Sequence, residues 1–450
     1  MNKSVKIVIC MMMVFLLLGI IGFDRPEKAY AAAEANDTGI LSAYDTCKDT
    51  ENPDTGAADT AKSDTDAADT VNNESYFTYK LSKKGYATIT GLKDEYASVT
   101  DIVIPATIDG YKVVSIGKSA FKSSSIKSVI IEDGITTIGT TAFAYCSSLK
   151  KIELPDSVKN IYGGAFRACK KLTKIKLPAN LKKISMHTFR GCVRLKEIII
   201  PEGVKSIGNG AFYFCKKLIK VVIPDSVTSI GKGAFGYCRS LSMITIPDNV
   251  TSIGESAFEC CRCLTELTIP DGVTSIGNYA FDSCDSLTSI TIPDSITYIG
   301  PKAFSFCNNL TCISVDKNNA KYDSRNDCNA IIETAGNCLI IACSSTVIPN
   351  DVTTIGDYAF YRCDNLTSIT IPEGVTSIGD SAFYWCESLT SITIPDSVTS
   401  IGDYAFEYCD SLTSITIPNS ITSIGRAAFG ECDNLKLTLP EGMKQNDLWF

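Results

Sequence analysis

The chain has 450 residues, 45% of them hydrophobic, which is ordinary for a globular protein and too many for a wholly disordered one. Its 42 Lys and Arg against 50 Asp and Glu leave a net charge of −8, which argues against general nucleic-acid binding, where basic side chains must be in excess. A single histidine, His187, leaves no multi-His metal site and little general-base chemistry near neutral pH.

The first 31 residues read as an export address. Lys3 and Lys6 precede an apolar run from Ile7 to Phe23, and a polar stretch then leads to Ala29, Tyr30 and Ala31. A basic start, an apolar core and a small-x-small site describe a secretory signal peptide, with cleavage expected after Ala31. The run sits at the lower limit for spanning a bilayer, and no later run approaches that length. The mature chain is therefore expected to be exported, secreted or held at the cell surface, with no membrane span. Residues 32–74 follow as an acidic, Asp/Thr-rich spacer. Asp-Thr pairs begin at 49, 54, 59, 64 and 69, and from Glu34 to Glu74 there are eleven acidic and two basic residues. Such a stretch buries too little apolar surface to offset its ordering entropy. Its Thr and Ser also suit an O-glycosylated stalk.

A period of 23 then takes over. Phe falls at 143, 166, 189, 212, 235, 258, 281 and 304, and resumes with the same step at 360, 383, 406 and 429. Phe121 opens the series one residue out of step, and Cys follows three residues behind each of the twelve in-step Phe. In the unit 389–409, Ile392 and Ile394 alternate with Thr393, so a short strand with one buried face is expected. Pro395 lacks an N–H and ends it. Val398 and Ile401 precede a turn at Gly402, and Ala405, Phe406 and Cys409 suit one turn of α- or 3₁₀-helix. One such unit cannot bury its own apolar edge, so the units must stack, each strand parallel to its counterpart about 4.8 Å away. The expected fold class is an α/β repeat solenoid of short parallel strands and short helical or 3₁₀ turns, on the order of 60 Å along the stack.

This pattern, Leu-x-x-Ile-x-Ile-Pro-x-x-Val-x-x-Ile-Gly-x-x-Ala-Phe-x-x-Cys, resembles the leucine-rich repeats of the BspA type found in bacterial surface proteins. The likeness covers about 85–440. The segments from Gly85 to Gly91 and from Ile104 to Tyr111 resemble that family's first units, so 75–110 is expected to cap an array spanning 111–440, with 441–450 as a tail. The resemblance implies a curved solenoid and extracellular ligand binding, including adhesion to host matrix proteins, and it supplies no catalytic residue or cofactor.

Export would favour disulfides, but stacked cysteines have parallel rather than converging Cβ vectors. A column of small buried thiols is expected instead. Cys312, Cys328, Cys338 and Cys343 crowd the one break in the period, between Phe304 and Phe360. There a hairpin insert is expected at about 312–348, with either four free thiols or a Cys328–Cys338 disulfide. Cys260 and Cys263 have Cys-x-x-Cys spacing without the fold context that redox chemistry needs.

The solenoid's outward strand positions are the expected binding rim. They hold Lys151, Lys174, Lys176 and Lys220 in early units, and Ser391, Thr393, Ser414 and Thr416 in late ones. From 146 to 220 there are 17 basic and 4 acidic residues, and from 348 to 434 there are 2 basic and 12 acidic. The Lys-rich end suits a polyanionic partner, an extracellular protein or glycan; a merely solvated face is the plainer alternative. Binding is the expected function, with a structural spacer of the cell envelope as the rival and no constellation for catalysis. The sequence leaves the oligomeric state open.

Overall fold

The computed structural model describes residues 70–72 and 76–440. Residues 1–31, expected to be a signal peptide, most of the acidic stretch and residues 441–450 lie outside the described residues. Thr70–Asn72 pairs antiparallel with Phe77–Leu81, so a strand lies inside the stretch 32–74 that was expected to hold none.

The 23-residue coils build three kinds of hydrogen-bonded ladder. The first is the expected one. Glu197–Ile199 runs parallel to Lys220–Val222, with Ile198 opposite Val221 in a register offset of one repeat. The alternation holds here: the central residue faces the core and its two neighbours face solvent. The second ladder comes from the Ser-Ile step before the turn glycine, as where Ser206–Ile207 pairs with Ser229–Ile230 and that pair with Ser252–Ile253. Glycine follows because its place touches the coil behind. A Cβ on Gly254 would lie 2.6 Å from the backbone of Gly231.

The third ladder corrects the expected helical turn. No helix forms at Ala-Phe-x-x-Cys. Among the described residues the only helical segments are three-residue 3₁₀ turns at Asp94–Tyr96 and Arg325–Asp327. The solenoid is therefore all β strands and turns. Residues two before and two after the Phe take left-handed conformations, as at Thr141 (φ 53°) and Tyr145 (φ 63°), or His187 (φ 56°). That alternation turns every second N–H along the stack. Phe143 donates to the Ala165 carbonyl at 2.8 Å, and Phe212 to Ala234 at 2.8 Å. The intervening N–H groups close local turns, such as Ala144 to Thr141 at 3.0 Å. A helix would have used these donors within its own coil and left the coil interface unpaired.

The core is a set of vertical columns. The ladder phenylalanines lie parallel, with centroids 5.3 Å apart for Phe212 and Phe235 and 5.4 Å for Phe235 and Phe258. The cysteine column explains its own spacing. Each column thiol donates to the carbonyl at the Phe position of the preceding coil, as Cys192 Sγ does to Phe166 and Cys238 Sγ to Phe212, both at 3.2 Å. Every described cysteine is free, Cys328 and Cys338 included. Burial pushes the Cys238 and Cys386 thiols up, away from the reactive thiolate. At the N-terminal end Phe77 meets Phe121 edge-on, with centroids 6.2 Å apart, and so closes the ring column.

The break in the period is a hairpin. Ala330–Glu333 pairs antiparallel with Cys338–Ala342, and that second strand then pairs in parallel with Thr354–Ile355. Ala342 stands where a Phe stands elsewhere. Its N–H donates to Ala359 at 2.9 Å and its carbonyl receives the Cys363 thiol. The smaller side chain leaves a cavity of about 20 Å³ against Phe304, Cys307, Ile341 and Cys363, room for about one water. The buried core divides there into two clusters.

Candidate ligand-binding face

The first ladder aims its outward side chains from short strands fixed by buried partners, so charge on this face is held in register. Lys151 lies exposed on Lys151–Glu153, and Lys220 is exposed on Lys220–Val222 opposite Glu197. Lys174 and Lys176 are also exposed, but no strand forms around them; the ladder is interrupted between Lys151–Glu153 and Glu197–Ile199. Ile175 and Leu177 are nevertheless buried, so the alternation persists without the strand hydrogen bonds.

The four lysines are not equally available. Lys151 Nζ lies 2.6 Å from Glu153, and Lys174 Nζ lies 3.2 Å from Glu197 in the next coil. Both pairs are solvent-exposed and contribute little to stability. Between the charges stand apolar side chains in the open: Ile199 is 65% exposed, and Ile219, Val222 and Met243 are exposed beside it. The face is therefore mixed, basic and aliphatic, rather than a plain lysine stripe.

The hydroxyl face is separate. Ser391 and Thr393 are exposed opposite Ser368 and Thr370, and Ser414 and Thr416 are exposed opposite Lys436 and Thr438. About seven rungs, roughly 34 Å at strand spacing, separate Lys220 from Ser391, so a compact ligand does not touch both. The turn aromatics pack against cations. Arg362 lies between the rings of Phe306 at 3.8 Å and Trp385 at 3.7 Å, and Lys302 lies 4.0 Å from the Tyr358 ring. Tyr404 carries Arg426 at 4.8 Å. The Phe306–Arg362 and Lys302–Tyr358 contacts join the coils before and after the hairpin. Among the described residues no group of three or more His, Cys, Asp and Glu is placed to hold a metal ion, and no helix is long and apolar enough to cross a membrane.

Stacked 23-residue coils with inward Leu, Ile, Phe and Cys and a variable outward strand define a leucine-rich repeat protein. More narrowly, the chain belongs to the BspA-type leucine-rich repeat family, whose repeat-region model matches residues 114–242, 228–330 and 338–447 with six copies. A leucine-rich repeat protein from Bacteroides ovatus is 31% identical with a TM-score of 0.62, over 82% of this chain and 100% of that one. A leucine rich cell surface protein from Faecalibacterium prausnitzii is 29% identical with a TM-score of 0.55, over 85% of this chain and 97% of that one. Among curated proteins none matches the chain.

Proposed function

We propose that this protein is exported and acts outside the cell as a binding module, adhering to a host protein or glycan through the basic and aliphatic face of its early coils. One observation carries the reading: Lys151, Lys174, Lys176 and Lys220 stand exposed over adjacent coils beside the bare side chains of Ile199 and Val222. Lysines attract an acidic partner at long range, and exposed aliphatics give it apolar area to cover. The ligand class that fits both is an acidic protein surface, with a sulfated glycan engaging the lysines alone. A signal peptide, an acidic spacer and the cell-surface relative from F. prausnitzii support the location.

The test is heparin chromatography of the mature chain, with solid-phase binding to immobilised matrix proteins. Retention should weaken with salt and vanish when Lys151, Lys174, Lys176 and Lys220 are changed to Glu. Ile199→Ser with Val222→Ser should weaken protein binding and spare heparin retention. A chain that ignores both surfaces, with or without the changes, would be a spacer of the cell envelope. The pairing of Lys151 and Lys174 with glutamates is the observation on that side.

A further inference from the structure

Each coil turns a corner immediately after its column cysteine, and the two residues there form a ladder of exposed or half-exposed side chains distinct from the strand face. Followed from coil to coil, this ladder changes sign once. Its early rungs hold Lys170, Lys171, Arg194, Lys216 and Lys217, followed by Arg239 and Arg262. Its late rungs hold Asp285, Asp364, Glu387, Asp410 and Asp433, with only Asn308 and Asn309 between the first two. The reversal falls at a single contact, where Arg262 Nε lies 3.4 Å from Asp285 of the next coil.

The ladder is continuous across the hairpin. Asn309 Nδ2 donates to the Asp285 carbonyl at 2.6 Å, and Asn365 Nδ2 donates to the Asn308 carbonyl at 2.7 Å. Asn308 Nδ2 also donates to Asp364 Oδ2 at 2.9 Å. At this corner the coils before and after the insert therefore meet directly, and the hairpin does not interrupt the row.

A row that is positive for five coils and then negative is complementary to itself turned end over end. We infer that this corner is the contact between two copies of the chain, paired antiparallel about a two-fold axis near Arg262 and Asp285. Counting rungs outward from that axis sets Lys216 and Lys217 against Asp364 of the second copy. It likewise sets Arg194 against Glu387, and Lys170 and Lys171 against Asp410. Such a pairing is isologous and closes on itself as a dimer, whereas a head-to-tail arrangement gives a ring or an open filament. About twelve rungs at strand spacing give a contact roughly 55 Å long. At a width of about 15 Å, that is on the order of 800 Å² per copy, the size of a standard stable interface. Half-buried aromatics flank the row on the same turn: Lys216 lies over the Phe214 ring at 5.1 Å, and Trp385 Nε1 donates to Glu387. They supply the anchors that charge alone lacks.

Sedimentation velocity of the mature chain tests this, at about 0.05 M and about 0.5 M salt. A dimer at low salt that dissociates at high salt is expected. Reversing three basic positions (Lys170, Lys171 and Arg194 to Glu) should give a monomer, and so should reversing the acidic positions that face them (Glu387 and Asp410 to Lys). Mixing the two reversed variants should restore a dimer containing one of each. All the changes sit on exposed or half-exposed turn positions, and matching circular-dichroism melts will show that the fold is intact. The exposed thiol of Cys263 reports orientation, because it lies beside the axis. A short bis-maleimide should link Cys263 to its counterpart, and Cys263→Ser should abolish the link. A monomer at every salt, reversed variants that still dimerise, a mixture that stays monomeric, or links through Cys312 instead would each overturn the two-fold pairing. The strand-face lysines take no part, so loss of heparin binding would leave this result untouched.

Discussion

Phe235→Ala is the sharpest test of the stacked core. Phe235 is 0% exposed and lies between two parallel rings, 5.3 Å from Phe212 and 5.4 Å from Phe258. Deleting a buried Phe to Ala costs about 3–5 kcal/mol through lost transfer energy and the cavity left behind. Each stacked pair carries about 0.5–1.5 kcal/mol beyond its area. Phe429 supplies the control, since it stacks on Phe406 at 5.4 Å and is the last ring of the column among the described residues. Phe429→Ala removes one ring pair instead of two and should cost ~1 kcal/mol less. Urea unfolding followed by circular dichroism reads both variants. In a stack held by nearest-neighbour contacts, the central change should also broaden the transition, because the two halves lose their coupling. A loss below about 1 kcal/mol at Phe235, or equal losses at the centre and the end, would refute the reasoning.

Three further outcomes follow from the same geometry. With a thiol reagent, exposed Cys263 and Cys312 should react in the native protein and the buried column only after denaturation; few thiols after denaturation would establish disulfides instead. Ala168→Gly should stabilise the fold by about 0.5 kcal/mol and raise the unfolding midpoint, because Ala168 is held at φ 57° and Gly191 already fills the same place one coil later; a lower midpoint would contradict the left-handed turn. Burial pushes the Asp282 carboxyl up to about 7, with its Ser283 hydrogen bond opposing and Glu259 adding to the shift. The native state therefore holds a proton that the unfolded chain releases near pH 4, so this stability is full below about pH 4 and is lost as pH rises through about 7. Asp282→Asn should flatten the fall in melting temperature between pH 5 and pH 8, and an unchanged slope would exclude Asp282 as its source.

The strand, the Phe column and the Cys column were legible because a period of 23 repeats their burial twelve times. The turn was misread for a physical reason. Ala405, Phe406 and Cys409 have helical spacing, yet the same spacing serves a run of alternating right- and left-handed residues. Tyr404 and Trp385 do not advertise φ values of 57° and 60°. The signal lay in other coils, where Gly164, Gly210 and Gly233 fill the place of Tyr404. The second ladder escaped because two-residue strands such as Ser229–Ile230 are too short to show alternation. On the candidate face, Lys151 and Lys220 were legible as exposed, whereas the Lys174–Glu197 pair was overlooked although 197 is 174 plus one period.

That offset matters more than any single residue. In this architecture residues 23 apart are neighbours, so each outward position is a column whose composition can vary while the core stays fixed. The inward columns keep Leu, Ile, Phe and Cys because each fills space and the thiol serves the Phe carbonyl behind it. Nothing in that packing constrains the corner or the strand face. Lysine and aliphatic residues gather on the strand face near 151–222, hydroxyls near 368–416, and the corner reverses sign between Arg262 and Asp285. Packing alone sets no preference for where charge falls along the stack. Segregation within columns that the core leaves free is what contact with other molecules would produce, and it is there, rather than in a pocket, that the function of this solenoid is to be sought.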